Sequence, residues 1–181
     1  MTKVLKQPFG EDYGNETNVG SAGTGVTANE YGDGVRHTTV LNISDLTLIT
    51  PTAAANKADG KKIYSLPAGN HIVRGTKLNV NLLASDDPQV CDADTPDLGV
   101  GTTIATGAVA VLGGTAGFEN LLTGQTMADC DATSKEKTVN TELVVESGDS
   151  HDIYLNVADG WAGADTIVAN GTVTIIWETL P

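Results

Sequence analysis

The sequence predicts an all-β protein, an antiparallel β-sandwich carrying an extended N-terminal arm. Three observations carry that expectation. Apolar and polar residues alternate with period two through several runs between 35 and 179, the spacing that sends successive strand side chains to opposite faces. Turn chemistry interrupts these runs at intervals of roughly 8–12 residues, as in all-β sandwiches and barrels. Gly (21) and Thr (24) supply a quarter of the 181 residues and aromatics only 4%. Both residues are poor helix formers, and the scarcity of aromatics leaves the core to Val, Ile and Leu.

Residues 1–34 read as the arm. Seven glycines (10, 14, 20, 23, 25, 32 and 34) fall in its second part, with Asn, Ser and Thr among them and no apolar period. Alone in water such a segment cannot bury enough apolar surface to offset its ordering entropy, so it is expected to lie on other chains. Its larger side chains, Lys3, Lys6, Phe9, Tyr13, Val19, Val26 and Tyr31, are the expected partner-binding residues.

The sandwich domain spans 35–181. Val35, His37, Thr39, Leu41 and Ile43 alternate with Arg36, Thr38, Val40 and Asn42, and a second short run covers 46–49. A loop or one helical turn at 53–60 precedes a strand over 61–66, which Pro67-Ala68-Gly69-Asn70 stops as a turn. The clearest strand puts Ile72, Arg74, Thr76, Leu78, Val80 and Leu82 on one face and Val73, Lys77, Asn79 and Asn81 on the other. An acidic loop over 84–97 follows. The aliphatic, Gly-rich stretch 99–114 predicts short strands at 103–105 and 108–112, and 118–122 predicts a helical turn capped by Thr115. A second acidic loop covers 128–136. Val139, Thr141, Leu143 and Val145, the turn Ser147-Gly148-Asp149-Ser150, and Ile153, Leu155 and Val157 read as a hairpin. The last strand, 172–179, sets Val173, Ile175 and Trp177 on one face. About eight strands result.

Charge is unevenly spread. Residues 1–77 hold eight Lys/Arg and seven Asp/Glu, whereas 78–181 hold only Lys135 and Lys137 against sixteen Asp/Glu; the chain totals −13. Solubility accounts for such acidity; a sharper reading has the near-neutral half docking on a partner while the acidic half faces solvent. The deficit of Lys and Arg disfavours nucleic acid. No apolar run approaches the ~20 residues that a membrane span needs, and no standard secretory signal is expected at the start.

Chemistry is sparse. Ser147 to Asp152 brings Ser, Asp and His together, but on one turn, where neighbouring side chains diverge instead of converging as a triad must. The glycines of 99–114 lack the Lys-Ser/Thr of a phosphate loop. Asp86, Asp87, Asp92 and Asp94 are weak calcium candidates whose spacing departs from the twelve-residue helix-flanked loop; solvated surface acids are the expectation, and no cofactor is called for. His37, His71 and His151 are isolated in sequence, and His37 reads as a partly buried, satisfied imidazole. Cys91 and Cys130 leave a single disulfide or two free thiols open, with free thiols expected. No cluster points to an enzyme.

From about Gly25 onward the sequence resembles the head decoration, or cement, proteins of tailed bacteriophages. The resemblance lies in Gly25-Val26-Thr27-Ala28, His37-Thr38-Thr39-Val40-Leu41, Tyr64-Ser65-Leu66-Pro67-Ala68-Gly69 and Asp94-Thr95-Pro96-Asp97-Leu98-Gly99-Val100-Gly101-Thr102. It continues in Gly107-Ala108-Val109-Ala110-Val111-Leu112, Phe118-Glu119-Asn120, Leu122-Thr123-Gly124-Gln125-Thr126 and Asn156-Val157-Ala158-Asp159-Gly160-Trp161. These are scaffold and turn motifs, and the Asp86/Asp87 region departs from the pattern. The resemblance implies a jelly-roll-like sandwich on the outer capsid surface of the virion. It would cement neighbouring major capsid proteins as a dimer or trimer, with no catalytic residues and no contact with nucleic acid or membrane. The alternative is a carbohydrate- or receptor-binding sandwich of a head fibre or adhesin, which needs an exposed aromatic platform; Tyr31, Trp161 and Trp177 are the candidates, Trp177 reading as core-facing.

Overall fold

A computed structural model describes residues 4–6, 12–15, 20–51, 57–113 and 116–181, the first two segments by their backbone alone. Twelve strands are assigned: β1 (Val4–Lys6), β2 (Asp12–Asn15), β3 (Ser21–Ala22), β4 (Val26–Gly32), β5 (Arg36–Ile49), β6 (Ala58–Ser65), β7 (Asn70–Ala84), β8 (Asp97–Gly101), β9 (Leu122–Thr126), β10 (Lys135–Val145), β11 (Asp152–Ala158) and β12 (Ile167–Leu180). No helix occurs among the described residues, hence none long and apolar enough to cross a membrane.

Two antiparallel five-stranded sheets face each other as a β-sandwich. The first has the order β10-β7-β12-β5-β4 and the second β3-β6-β11-β8-β9; β1 and β2 pair separately as a ribbon, with β1 beside β4. From β3 onward only β4–β5 and β8–β9 join neighbours within one sheet, and every other connection crosses to the opposite sheet. The expected hairpin of 139–145 with 153–157 is therefore corrected. β10 pairs with β7 in the first sheet, whereas β11 pairs with β6 and β8 in the second. Alternation marks a strand but not the sheet it joins.

Burial follows the alternation, with two phase changes. In β5, His37, Thr39, Leu41 and Ile43 point inward, then Leu46 and Leu48. The switch is a bulge: Ile43 stands opposite Gly171 but Leu46 opposite Ala169. Asp45 adopts φ 49°, and its N–H donates to Asn170 Oδ1 at 2.8 Å. The two runs at 35–43 and 46–49 are thus one strand. In β7, Gly75 pairs with Ile176 and Val73 with Trp177, so Arg74 is an extra residue. Arg74 does not share the face of Thr76, Leu78, Val80 and Leu82, as its place in the alternation implies. It turns outward to Glu142 (2.7 Å) and Glu178 (3.1 Å), and His71 and Val73 go in.

Leu41, Leu78, Leu82 and Ile175 of one sheet meet Ile63, Leu98, Val100 and Leu155 of the other in one continuous core. Trp177 and Tyr64 are its largest fully buried side chains. The Trp177 indole N–H donates to Thr39 Oγ1 at 2.9 Å, Thr39 reaches the Tyr64 hydroxyl at 3.5 Å, and that hydroxyl donates to the buried Glu30 carboxylate. Across the other open side, Lys137 Nζ donates to the carbonyls of Thr123 (3.0 Å) and Gly124 (3.3 Å), tying β10 to β9.

Three further expectations are corrected. The boundary at 34/35 falls within a hairpin, because β4 is the edge of the first sheet along Val26↔Ile43 to Gly32↔His37, and β3 is the edge of the second against β6. The strands expected at 103–105 and 108–112 are irregular chain with bends and a turn; the strand is β8, Asp97–Gly101. In place of a helical turn at 118–122, the chain runs as bends into β9. Thr115 and the stretch 52–56 lie outside the described residues.

These edges make truncation informative. A chain starting at residue 20 keeps both sheets whole and is expected to melt within a few degrees of the full chain. A chain starting at residue 35 loses both edge strands, buried Val26 and the Glu30–Tyr64 bond, and its midpoint is expected to fall by about 10 °C or more. Thermal unfolding followed by circular dichroism reads both.

Candidate functional site

Strand register sorts the acids by end of the sandwich. The β7–β8, β9–β10 and β11–β12 loops gather at one end, joined by Ala84 N–H to Cys130 O (2.9 Å), Asp86 N–H to Asp165 Oδ1 (3.0 Å) and Ala162 N–H to Asp94 Oδ2 (2.8 Å). The residues between these strands, 85–96, 127–134 and 159–166, hold eight aspartates and no Lys or Arg. A division into a neutral N-terminal half and an acidic C-terminal half does not survive in space, because β5 lies against β12 and β6 against β11.

Most of these acids have structural partners. Asp165 is buried and accepts the backbone N–H groups of Asp86, Cys91 and Thr166. Among the calcium candidates, Asp94 holds Ala162 and half-fixes the loop, Asp86 accepts Thr166 Oγ1 (3.3 Å), and Asp87 and Asp92 are exposed. Among the described residues no three His, Cys, Asp or Glu side chains gather as a metal would need. Burial, with the charges of Asp94 and Asp97 adding to it, raises the pKa of Asp159. Cys91 and Cys130 are buried free thiols in this end. Burial, reinforced by Asp94 and Asp165, pushes them up to about 11 and about 12, so both stay protonated and unreactive at neutral pH.

The aromatic platform is absent from both tryptophans. Trp161 is buried and donates Nε1–H to Lys57 O at 2.9 Å, and Trp177 is wholly in the core. The groups of the Ser147–Asp152 turn are taken up in structural bonds, some within the turn and some to the β6–β7 turn. Ser150 Oγ accepts the Asp152 N–H (3.3 Å), Asp149 Oδ2 accepts the Glu146 N–H (3.1 Å), and His151 Nε2 faces Gly69 O (2.8 Å).

The expected partner-binding residues scatter. Val26 is a core residue, its side chain consumed by the sandwich and not free for another chain. Tyr31 is half-buried and lines an open cleft of about 370 Å³ with Arg36, Thr38, Ile176 and Glu178. Lys3, Phe9 and Val19 lie outside the described residues, as do the side chains of Lys6 and Tyr13.

A different surface stands out. Residues 98–118 contain no charged side chain, in a chain of net −13. After β8 this stretch leaves the sheet and folds back over the outer face of the second sheet. Its inner side builds a second small core in which Ala105, Leu112 and Phe118 pack with Ala58 of β6 and Ala158 of β11. At its centre is Asn156 of β11, fully buried. Its Oδ1 accepts the Ala105 N–H (2.9 Å), and its Nδ2 donates to Thr103 O (3.0 Å) and Phe118 O (2.7 Å). Further ties come from Gly107 O to the N–H groups of Lys57 and Ala58, from Asp97 Oδ2 to the Leu112 N–H, and from Gly117 O to the Thr103 N–H. Gly117 has φ 90°, and a Cβ there would lie 2.3 Å from Thr103 Oγ1, so only glycine closes this turn.

The outer side of the same stretch is uncharged and open: Val111 is 61% exposed and Ile104 39%, beside exposed Thr103 and Thr106. A loop wired this densely, carrying aliphatic side chains outward and no charge, has the properties of a contact surface. The sequence predicts short strands in this Gly-rich stretch and no contact surface. The signal available was the 21-residue absence of charge. No family model matches the chain, and no curated protein matches it either.

Asn156→Ala strips three backbone groups of their partner, two of them buried, and is expected to cost about 3 kcal/mol. Urea unfolding measures that loss, and amide exchange should quicken across 102–121 while the β5–β12 ladder stays protected.

Proposed function

We propose that the chain is a structural protein of a tailed-phage head, a decoration or cement protein. It binds the outer capsid surface, bridges neighbouring major capsid proteins as a dimer or trimer, and performs no catalysis. The observation that carries this reading is the uncharged, outward-facing 98–118 surface on a rigid, otherwise acidic sandwich. Burying Val111 and Ile104 against a shell costs little desolvation, since no charge goes with them. The acidic loops at the end of the sandwich would stay in solvent, where like charge keeps decorated particles apart.

The strand order supports the finer fold assignment that goes with the reading. Setting β3 and β4 aside, β5 to β12 form nested pairs: β5 with β12, β6 with β11, β7 with β10 and β8 with β9. That nesting fits a jelly-roll order. The β1–β2 ribbon, which joins neither sheet, supplies a second contact, and two linked contacts bind more tightly than either alone.

Sedimentation of undecorated capsids of the cognate phage with added protein tests both contacts. Val111→Asp combined with Ile104→Asp is expected to leave the melting midpoint within a few degrees and to lower capsid occupancy at least tenfold. A chain starting at residue 20 is expected to bind more weakly than the full chain. Unchanged occupancy in the double variant would refute the surface.

A further inference from the structure

All three histidines of the chain, far apart in sequence, gather at the end of the sandwich opposite the acidic loops, two against Trp177 and the third against His71. His37 of β5 stacks flat on Trp177, ring centroids 3.8 Å apart and planes at 6°. His71 of β7 meets the same indole edge-on at 5.1 Å, and His151, from the β10–β11 loop, stands at 5.7 Å from His71. His37 and His71 are almost wholly buried. His71 Nε2 faces Pro67 O and His151 Nε2 faces Gly69 O, both at 2.8 Å, so each ring fastens the β6–β7 turn. A carbonyl requires the donor at Nε2, which leaves Nδ1 of His71 as the site for a second proton. Among the described residues no acceptor meets that atom.

We propose that this cluster is an acid-sensitive latch: neutral, the His37 and His71 imidazoles pack as aromatic rings that clamp β5, β7 and the β6–β7 turn onto Trp177; protonated, they force that end of the sandwich open. The surrounding charges do not supply a ready counter-ion. Asp33, in the β4–β5 turn, accepts the N–H groups of Val35 and Arg36, and its charge only partly offsets the burial of His37. Glu178 of β12 is engaged by Arg36 and Arg74, and Arg74 also holds Glu142 of β10. Glu30 of β4 takes the Tyr64 hydroxyl. In the β10–β11 loop, Asp149 caps the Glu146 N–H.

Burial lowers the pKa of His37 and of His71, opposed by the Gly34 and Pro67 carbonyls respectively, and a charge on His151 lowers His71 further. A base whose folded-state pKa is depressed binds more protons when unfolded. The stability it contributes is complete above the free value of about 6.5 and is lost as pH falls below it.

Thermal and urea unfolding of the full chain between pH 8 and pH 5 tests the latch. Below pH ~6.5 the unfolding constant is expected to rise up to about tenfold per pH unit for each imidazole that charges only on unfolding. His37→Phe keeps a flat ring on Trp177 without a titrating group, and the slope should drop by about one proton. A flat wild-type profile between pH 6.5 and 5, or an unchanged slope in His37→Phe, overturns the proposal. Titration of the imidazole proton resonances of the wild-type chain decides independently of any variant. The midpoints of His37 and His71 should lie below the free value of about 6.5, and midpoints at or above it for both would also overturn the proposal.

Discussion

Trp177 is the residue on which the sandwich turns. It sits on β12, the central strand of the first sheet, with β5 on one side and β7 on the other. An indole in the core brings a large apolar surface and one polar atom that needs a partner there. Thr39 supplies it, and the same hydroxyl passes the contact to Tyr64, whose strand belongs to the opposite sheet. The bulge at Arg74 is what lets His71 and Val73 turn inward beside the indole. Without that extra residue, Arg74 would point into the core and its bonds to Glu142 and Glu178 would be lost.

Asn156 plays the corresponding part outside the core. A polar side chain on the outer face of a sheet would ordinarily meet water. Here it satisfies three backbone groups of a segment that pairs with the sheet only through the Gly107–Ala58 bridge. That exchange turns a Gly-rich excursion into a fixed layer over β6 and β11. The layer has two sides for a simple reason. Ala105, Leu112 and Phe118 fill the inner one, and the residues between them are left to face outward. The proposed capsid contact is therefore a by-product of how the second sheet is covered.

Long alternating segments were legible in the sequence. The faces of β12 and of β7 from Thr76 to Leu82 follow from side-chain period alone, and so does the burial of His37. Three kinds of information were not local. A bulge at Asp45 or Arg74 is fixed by the neighbouring strand, so neither run announces its phase change. The sheet to which a strand belongs depends on partners a hundred residues away, which is why β10 and β11 looked like a hairpin. Convergence of side chains was the third. His37, His71 and His151 appear isolated in order and are neighbours in space, and Trp161, a plausible platform in a turn, is instead bonded to Lys57. The glycines from 20 to 34 misled because composition alone says disorder, whereas an edge strand can be short, polar and Gly-rich when a longer strand templates it.

The nested pairing has a consequence for how the molecule is made. β5, the first long strand, pairs with β12, the last, and β6 pairs with β11. The first sheet cannot form its centre until residue 180 has left the ribosome. Until then β5 and β7 are long strands with unpaired edges and apolar faces, the state in which chains associate wrongly. Neighbouring nascent copies on one message would be the nearest such partners. Residues 1–77 are near neutral, so repulsion between copies grows only as the sixteen Asp and Glu of 78–181 emerge, which gives their charge a use before the folded protein exists.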